Sequence, residues 1–220
     1  IWTTTPWTIP ANKALAFNKN LDYSIIEILD ENKFKNVKVV VAKELLDSVV
    51  QKCEIKNYKV ISDFPGTEFE GTSCSHPFLE IGYNYNIPLL EANFVNLEQG
   101  TGIVHCAPSH GPDDFNLCLN HGIKAVETVD DNGIYTKNIL KFEGIHIFKA
   151  NPIVIEKLKE HNKLFSSGKL NHSYPHSWRS KAPLVHRATQ QWFISMESHG
   201  LRKKALKAIN DTKFYPSKGK

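Results

Sequence analysis

The stretch Gly100–Asn120, GTGIVHCAPSHGPDDFNLCLN, contains a strand signal and a helix signal in close succession. Thr101–His105 is a short run with β-branched residues and is predicted to be a strand. Pro112–Asn120 is predicted to be a helix, because proline is favoured at the first helical position. The glycines at its start permit a close approach of the backbone to a neighbour or a ligand. The stretch therefore predicts a strand, a loop and a short helix.

The same pattern of short strands with inserted helices continues along the chain. Further strands are predicted at Tyr23–Leu29, Val37–Val41, Tyr58–Phe64 and Phe94–Leu97. Further helices are predicted at Ala42–Cys53, at Ile153–His161 after the capping pair Asn151-Pro152, and at Leu201–Ile209, while Leu170–Met196 has a strand-and-loop pattern. No glycine-rich phosphate loop follows a strand, which argues against a dinucleotide-binding unit. We therefore predict a mixed α/β, β-rich fold with a central β-barrel and inserted short helices.

The composition indicates an ordinary globular protein. The chain has 220 residues, of which 41% are hydrophobic and 23% charged, and a net charge of +4 that permits a phosphate-bearing partner without requiring one. No apolar run has the length of a membrane span, so we expect no membrane partner and a cytoplasmic location. The cysteines form no CxxC pair and are predicted to be free thiols: Cys53, Cys74, Cys106 and Cys118.

The start of the chain, IWTTTPWTIPAN, is rich in hydroxyl groups. A threonine hydroxyl both donates and accepts hydrogen bonds, and four threonines stand close together: Thr3, Thr4, Thr5 and Thr8. Pro6 and Pro10 disfavour a helix here, so the side chains are free to face one cavity. Trp7 offers an apolar wall or a stacking face for a base. An edge strand with ordinary threonines is the alternative.

Asp113 and Asp114 fall in the first turn of the predicted Pro112–Asn120 helix. The helix dipole favours an ionised carboxylate at that place. Beside a pocket, such a carboxylate is suited to anchor an ammonium group, for example the α-amino group of an amino acid. The alternative is that both aspartates only stabilise the helix start.

His105 and His110 raise the question of a metal ion. They are separated by a proline-containing loop, match no common zinc spacing and have no cysteine pair nearby. We predict no metal in this region. A buried core histidine is the simpler explanation for His105, although its position shortly before the helix start keeps it a candidate.

Two aromatic and basic stretches follow later, HSYPHSWR at 172–179 and RATQQWF at 187–193. Their composition suits contacts with a nucleic-acid backbone or base, and equally a packed interface with another domain. The basic residues of the last predicted helix are expected to form a solvated face: Arg202, Lys203, Lys204 and Lys207.

Taken in order, these motifs resemble the editing domain inserted in the catalytic core of bacterial isoleucyl-tRNA synthetases. WTTTPWTIPAN resembles the threonine-rich editing motif, GTGIVHCAPSHGPDDF the second editing motif, and HSYPHSWR with RATQQWF the return into the catalytic domain. Valyl and leucyl synthetases have similar insertions, typically with Lys or Met in place of His105 and AHD in place of Ser109-His110-Gly111. The assignment to the isoleucyl group therefore depends mainly on His105 and on the sequence HGPDDF at 110–115.

The resemblance implies that residues 1–220 are one editing domain cut from a longer synthetase, with 170–220 as the return segment. It implies an aminoacyl-tRNA deacylase that hydrolyses mischarged valyl-tRNA(Ile), with valyl-adenylate as a second substrate. Isoleucyl-tRNA synthetases are the standard example of the underlying problem, because a methylene group contributes only about 1–3 kcal/mol of discrimination. The implied partners are the valine-charged acceptor end of tRNA(Ile) and the parent catalytic domain. The parent would use ATP and Mg, and this domain no cofactor.

The resemblance also implies roles for particular residues. Asp114 binds the α-amino group, and His105 with Thr5 forms the wall that excludes isoleucine. The terminal adenosine, the ester and the attacking water are hydrogen-bonded by Thr3, Thr4, Thr8 and Asn12. Trp7 lines the pocket near the adenosine, and His110 and Gly111 also bind the substrate. No general base is implied, and Ser177 and Ser180 replace a zinc-binding cysteine pair of some relatives. The alternatives are a valyl-type domain that removes threonine, a non-hydrolytic module for the tRNA acceptor end, and a metal hydrolase.

Overall fold

The computed structural model describes residues 1–170 and 173–219. Its chain divides into two compact units, Ile1–Ala188 and Thr189–Lys220. His172, the first residue of one aromatic and basic stretch, lies outside the described residues. The second unit contains the helix α4, Leu201–Asp211, which confirms the predicted terminal helix. Candidate site residues all belong to the first unit.

In its described residues, the first unit combines short strands with three α-helices and several short 3₁₀ helices. The strands are β1 (Ala14–Phe17), β2 (Asp22–Ile28), β3 (Lys38–Ala42), β4 (Tyr58–Pro65), β5 (Ser73–Ser75), β6 (Asn86–Glu91) and β7 (Ile103–Cys106). The helices are α1 (Leu46–Lys52), α2 (Pro112–Asn120) and α3 (Ile147–Glu160). The mixed α/β class is therefore confirmed, and α2 has the predicted bounds.

One sheet has the strand order β5-β6-β1-β7 and carries the candidate site. β1 pairs in parallel with β6 and antiparallel with β7, which places Leu15 opposite His105. Because β1 directly follows the threonine-rich start, this pairing brings His105 next to that segment. Two residues distant in sequence are thus joined by strand register.

The other sheet has the order β3-β2-β4, and all of its neighbouring strands are antiparallel. Tyr23, Ile26 and Ile28 on β2 are fully buried, as expected for β-branched and aromatic residues in a central strand. β2, β3 and β4 confirm three predicted strands to within a residue or two.

The predicted central β-barrel is wrong, because the strands of the described residues form two open sheets and no closed one. Closure requires every strand to pair on both sides, and here four strands lie at sheet edges. After β1 the chain turns and enters the other sheet as β2. The backbone hydrogen bond from Ala42 N–H to Thr101 O, 2.8 Å long, connects the two sheets without extending either ladder.

Several local predictions also need correction. Phe94–Leu97 is turn and loop, and the strand of this region is the earlier β6. Within the described part of Leu170–Met196 no strand forms, and His176 and Pro183 make only an isolated bridge. β1 and β6 were missed because a four-residue strand, or one interrupted by Pro88, has too little periodicity to detect.

The helix α3 begins at Ile147, before the predicted capping pair. His146 is its N-cap, and Pro152 lies inside the helix. The Asn151 side chain does not cap the helix, because its Oδ1 atom accepts a hydrogen bond of 2.9 Å from the Trp7 backbone N–H. A tertiary contact has replaced the local capping role.

The segment expected to be non-helical forms a short 3₁₀ helix, Pro6–Ala11. Pro6 occupies its first turn, where the missing N–H costs nothing. Trp7 is buried in the core with α3, and the Tyr135 hydroxyl donates to the Trp7 carbonyl. The 3₁₀ helix is therefore anchored on both sides, and it positions Thr8 in the interior.

We expect Gly102→Ala to destabilise the fold by about 2–5 kcal/mol, combining backbone strain with overpacking. Gly102 has φ +75°, and a Cβ atom there would lie 2.3 Å from the Ala42 Cβ atom. Gly71→Ala is the matched control, because Gly71 has φ +73° and a Cβ atom added to it would meet nothing within 4 Å. Urea unfolding measures both, and equal losses of unfolding free energy would contradict the packing explanation.

Candidate functional site

A cavity of about 350 Å³ opens between the threonine-rich start, β7 and the start of α2. Of the residues predicted to act, seven line it: Thr3, Thr4, Thr5, Thr8, His105, His110 and Asp114. Trp7, Asn12 and Gly111 do not line the cavity, and each lies directly behind a residue that does. The structure therefore brings together two motifs that are about a hundred residues apart.

The threonines form a connected layer at one side of the cavity. Thr5 N–H donates to Thr3 Oγ1 at 3.1 Å, and Thr8 N–H donates to Thr5 O at 2.9 Å. The Thr5 hydroxyl lies 3.4 Å from the hydroxyls of both Thr3 and Thr8. Thr4 is exposed, and its hydroxyl makes no hydrogen bond within the described part of the chain. Uncharged groups that both donate and accept thus face the cavity.

His105 is buried at the cavity wall with both ring nitrogens occupied. Nδ1 lies 2.9 Å from Asn12 Oδ1, an acceptor, so Nδ1 carries the proton. Nε2 lies 2.7 Å from Thr8 Oγ1, and the same Thr8 hydroxyl lies 2.9 Å from Thr5 O, so this hydroxyl stands between two acceptors. Burial lowers the pKa of His105 to about 3, which keeps the ring neutral. The ring offers volume to the cavity rather than a free base.

Asp114 is the carboxylate of the cavity, and it lies in the first turn of α2. Its Oδ2 atom accepts a hydrogen bond of 2.8 Å from Ala107 N–H. Burial raises the pKa of Asp114 above its ordinary value, so its charged form is incompletely compensated by the protein. Gly111 leaves the necessary space, since a Cβ atom there would lie 3.2 Å from Asp114 Cγ.

His110 also reaches the cavity, and the protein uses both of its ring nitrogens. Nδ1 donates to His186 O at 3.0 Å, and Nε2 accepts from the Thr128 hydroxyl at 2.8 Å. Its ring meets the Trp7 ring edge-on, with centroids 4.6 Å apart. Burial lowers the pKa of His110 to about 4. Trp7 thus supports the cavity wall from behind instead of facing a ligand.

Part of the lining was not singled out from the sequence. It consists of Trp2, Phe94, Asn96, Gln99, Thr101, Ile103, Val104 and Ala107. Trp2 is 39% exposed and Phe94 37%, which is unusual for large apolar side chains beside a polar cavity. The available signal was Trp2 itself, a tryptophan directly before the threonines. Gly100 and Gly102, the glycines predicted to permit a close approach, both line the cavity. Gly102 also packs closely against Ala42.

Within residues 1–170 and 173–219, no group of three or more His, Cys, Asp or Glu side chains is placed to hold a metal ion. In the same part of the chain, no helix has both the length and the apolar character needed to cross a membrane. The four cysteines are unpaired.

The sequence of residues 11–220 matches the family described as tRNA synthetases class I (I, L, M and V). The chain belongs to this family. It is 76% identical over 220 residues to an isoleucine–tRNA ligase of Pelagibacter ubique, a match that covers 100% of this chain and 24% of the relative. The chain thus spans about a quarter of the length of the curated relatives it matches.

The fold of this class I synthetase chain is that of leucyl-tRNA synthetase editing domains. The CP1 domain GlLeuRS-CP1 superposes with a TM-score of 0.56 at 15% identity, over 76% of this chain and 83% of that domain. The Plasmodium knowlesi cytosolic leucyl-tRNA synthetase editing domain gives a TM-score of 0.53 at 10% identity, over 73% and 80%. The predicted resemblance to a synthetase editing domain is therefore confirmed at the level of family and fold.

Proposed function

We propose that this chain is the proofreading region of an isoleucyl-tRNA synthetase and hydrolyses the ester between valine and tRNA(Ile). The observation that carries the proposal is one cavity in which the Asp114 carboxylate, the threonine hydroxyls and the neutral His105 ring meet. Its 350 Å³ are in the range of small-molecule sites and suit an aminoacyl-adenosine end. In this proposal Asp114 recognises the charge of the amino group, and His105 excludes side chains larger than valine.

Asp114 supplies the charge recognition. Its carboxylate accepts a hydrogen bond from Ala107 N–H and is partly withdrawn from water. An ammonium group that enters the cavity restores the lost solvation and adds a charge-assisted hydrogen bond. The α-amino group of an esterified amino acid has that charge, so Asp114 fixes the amino end of the substrate.

His105 supplies the size exclusion. Its two hydrogen bonds, to Asn12 and Thr8, prevent the ring from turning away, and its burial prevents protonation. A side chain with one more methylene than valine must overlap such a fixed ring, and overpacking of this kind costs about 1–3 kcal/mol. We expect Thr5 to complete the same wall. Asn12 acts through His105, because it does not line the cavity.

Water activation needs little from the protein, because an aminoacyl ester is already reactive. Thr3, Thr4 and Thr8 provide hydroxyls that orient a water molecule and the ribose. Both histidines at the cavity are neutral with occupied nitrogens, so neither acts as a general base. The proposed partners are the acceptor end of tRNA(Ile) and the catalytic domain, which would use ATP and Mg and work in the cytoplasm.

The test compares hydrolysis of valyl-tRNA(Ile), isoleucyl-tRNA(Ile) and threonyl-tRNA(Val) by the full-length synthetase that carries this chain. We expect valyl-tRNA(Ile) to be hydrolysed at least about fivefold faster than isoleucyl-tRNA(Ile), because the clash acts on the latter. Preferred loss of threonine would show a valyl-type site, and binding without hydrolysis a non-hydrolytic module. Loss of activity with a chelator, when the tRNA is kept folded by spermidine, would indicate a metal hydrolase.

A further inference from the structure

The segment 185–188, which includes the start of the RATQQWF stretch, lies against the loop that carries His110. Ala188 N–H donates to Ser109 O at 2.9 Å, and His186 O accepts from His110 Nδ1 at 3.0 Å. The Ser109 hydroxyl in turn donates to Val126 O at 2.6 Å. Three stretches of chain thus meet behind one wall of the cavity.

Arg187 lies between these contacts, and its side chain is only 22% exposed. Its guanidinium donates to Val129 O at 3.3 Å, pairs with Asp131, and lies 3.6 Å from Glu127. These three residues flank Thr128 on both sides. Thr128 is buried and donates to His110 Nε2 at 2.8 Å. The Arg187 side chain therefore contacts the residues on both sides of Thr128, a hydrogen-bond partner of His110, and we call this arrangement the bracket.

The other partner of His110 is the carbonyl of His186, the residue directly before Arg187. Arg187 is therefore connected to both hydrogen-bond partners of the His110 ring. Its backbone follows directly on His186, and its guanidinium contacts the residues on either side of Thr128. A planar guanidinium with several fixed donors is suited to hold such a bracket, whereas an ammonium group contacts one acceptor at a time.

We propose that Arg187 is a positioning residue for the proofreading site, which holds the His110 ring in the cavity wall by fixing Thr128 and His186 around it. The inference rests on the proposed function for its kinetic consequence. Its structural consequence, the protection of His110, is independent of any activity. Arg187 does not line the cavity, so it acts through His110 and not on the substrate.

The kinetic test uses Arg187→Ala in the full-length synthetase with valyl-tRNA(Ile). We expect kcat to fall about tenfold with KM changed less than twofold, since a displaced wall misaligns a bound ester. Arg187→Lys should retain more of the kcat than Arg187→Ala. In a His110→Ala background the Arg187→Ala substitution should have almost no further effect, because the residue it positions is gone. Effects that multiply in the double variant would overturn the proposal.

A chemical test needs no turnover. Diethyl pyrocarbonate modifies accessible neutral imidazoles, and peptide mass spectrometry reads each histidine separately. We expect His110 to react about fivefold faster or more in Arg187→Ala, because its nitrogens lose their partners, while exposed His199 reacts unchanged. Lys35→Ala, which removes a surface ion pair with Glu31, is the control and should leave His110 protected. Unchanged reactivity of His110 in Arg187→Ala would refute the bracket even if the wild type hydrolysed no ester.

Discussion

Replacing Asp114 with alanine is expected to abolish hydrolysis of valyl-tRNA(Ile), with a loss in kcat/KM of at least about 25-fold. Removing one partner of a buried, hydrogen-bonded charge pair costs about 2–5 kcal/mol, and the larger values correspond to losses of more than a thousandfold. Asp114 is the lining carboxylate at the start of α2, and burial leaves its charge poorly solvated until an ammonium group arrives. Single-turnover deacylation with the full-length synthetase measures the loss.

The neighbouring residue offers a matched control for this experiment. Asp113 occupies the same helical turn but is exposed and does not line the cavity, so Asp113→Ala should retain near-normal hydrolysis. Asp114→Asn keeps an acceptor for Ala107 N–H and removes only the charge, and we expect it to be nearly as inactive as the alanine variant. Normal turnover by a folded Asp114→Asn variant would disprove the role of the charge.

The wild-type rate should also depend on pH in a defined direction. The pKa of Asp114 is raised by burial, so its carboxylate is protonated at higher pH than an ordinary aspartate. Protonation removes the anchor, and hydrolysis should therefore decline as the pH falls through that raised pKa. Asp114→Asn should lack this dependence.

The second large effect is expected at another residue of the cavity wall, where His105→Ala should allow hydrolysis of isoleucyl-tRNA(Ile). Relief of a clash of about 1–3 kcal/mol corresponds to a gain of roughly 5- to 150-fold with the isoleucyl ester. The valyl ester should gain nothing, because it already fits. The measurement is the ratio of the two deacylation rates, which separates selectivity from a general change in activity.

Two controls accompany the His105 substitution. His121→Ala removes an exposed imidazole at the end of α2, outside the cavity, and should leave isoleucyl-tRNA(Ile) protected. Because His105→Ala also deprives Asn12 and Thr8 of a partner, thermal melting establishes that the variant is folded. Continued protection of the isoleucyl ester by a folded variant would show that the imidazole is not the gate.

Much of the local structure was predictable because its causes are local. Pro112 followed by two aspartates specifies the start of α2, and β-branched runs specify β2 and β3. The predictions failed where contacts between residues distant in sequence determined the structure instead of local propensity. Asn151 caps no helix because it serves Trp7, and the expected barrel stays open because short strands end in two separate sheets.

Sequence patterns were enough to predict the family, the helices α1–α4, the strands β2, β3, β4 and β7, and the chemical groups of the candidate site. Its motifs contain the hydroxyls, the carboxylate and the imidazole in unmistakable order. Which of these groups face the cavity, and which support it from behind, follows from the three-dimensional fold. Asn12, Trp7 and Gly111 lie behind the lining, and Arg187, the first residue of the stretch RATQQWF, reaches His110 only through tertiary contacts around Thr128 and His186. Strand pairing between distant segments sets the burial and the hydrogen-bond partners of these side chains. The periodicity within one segment therefore predicts neither of them.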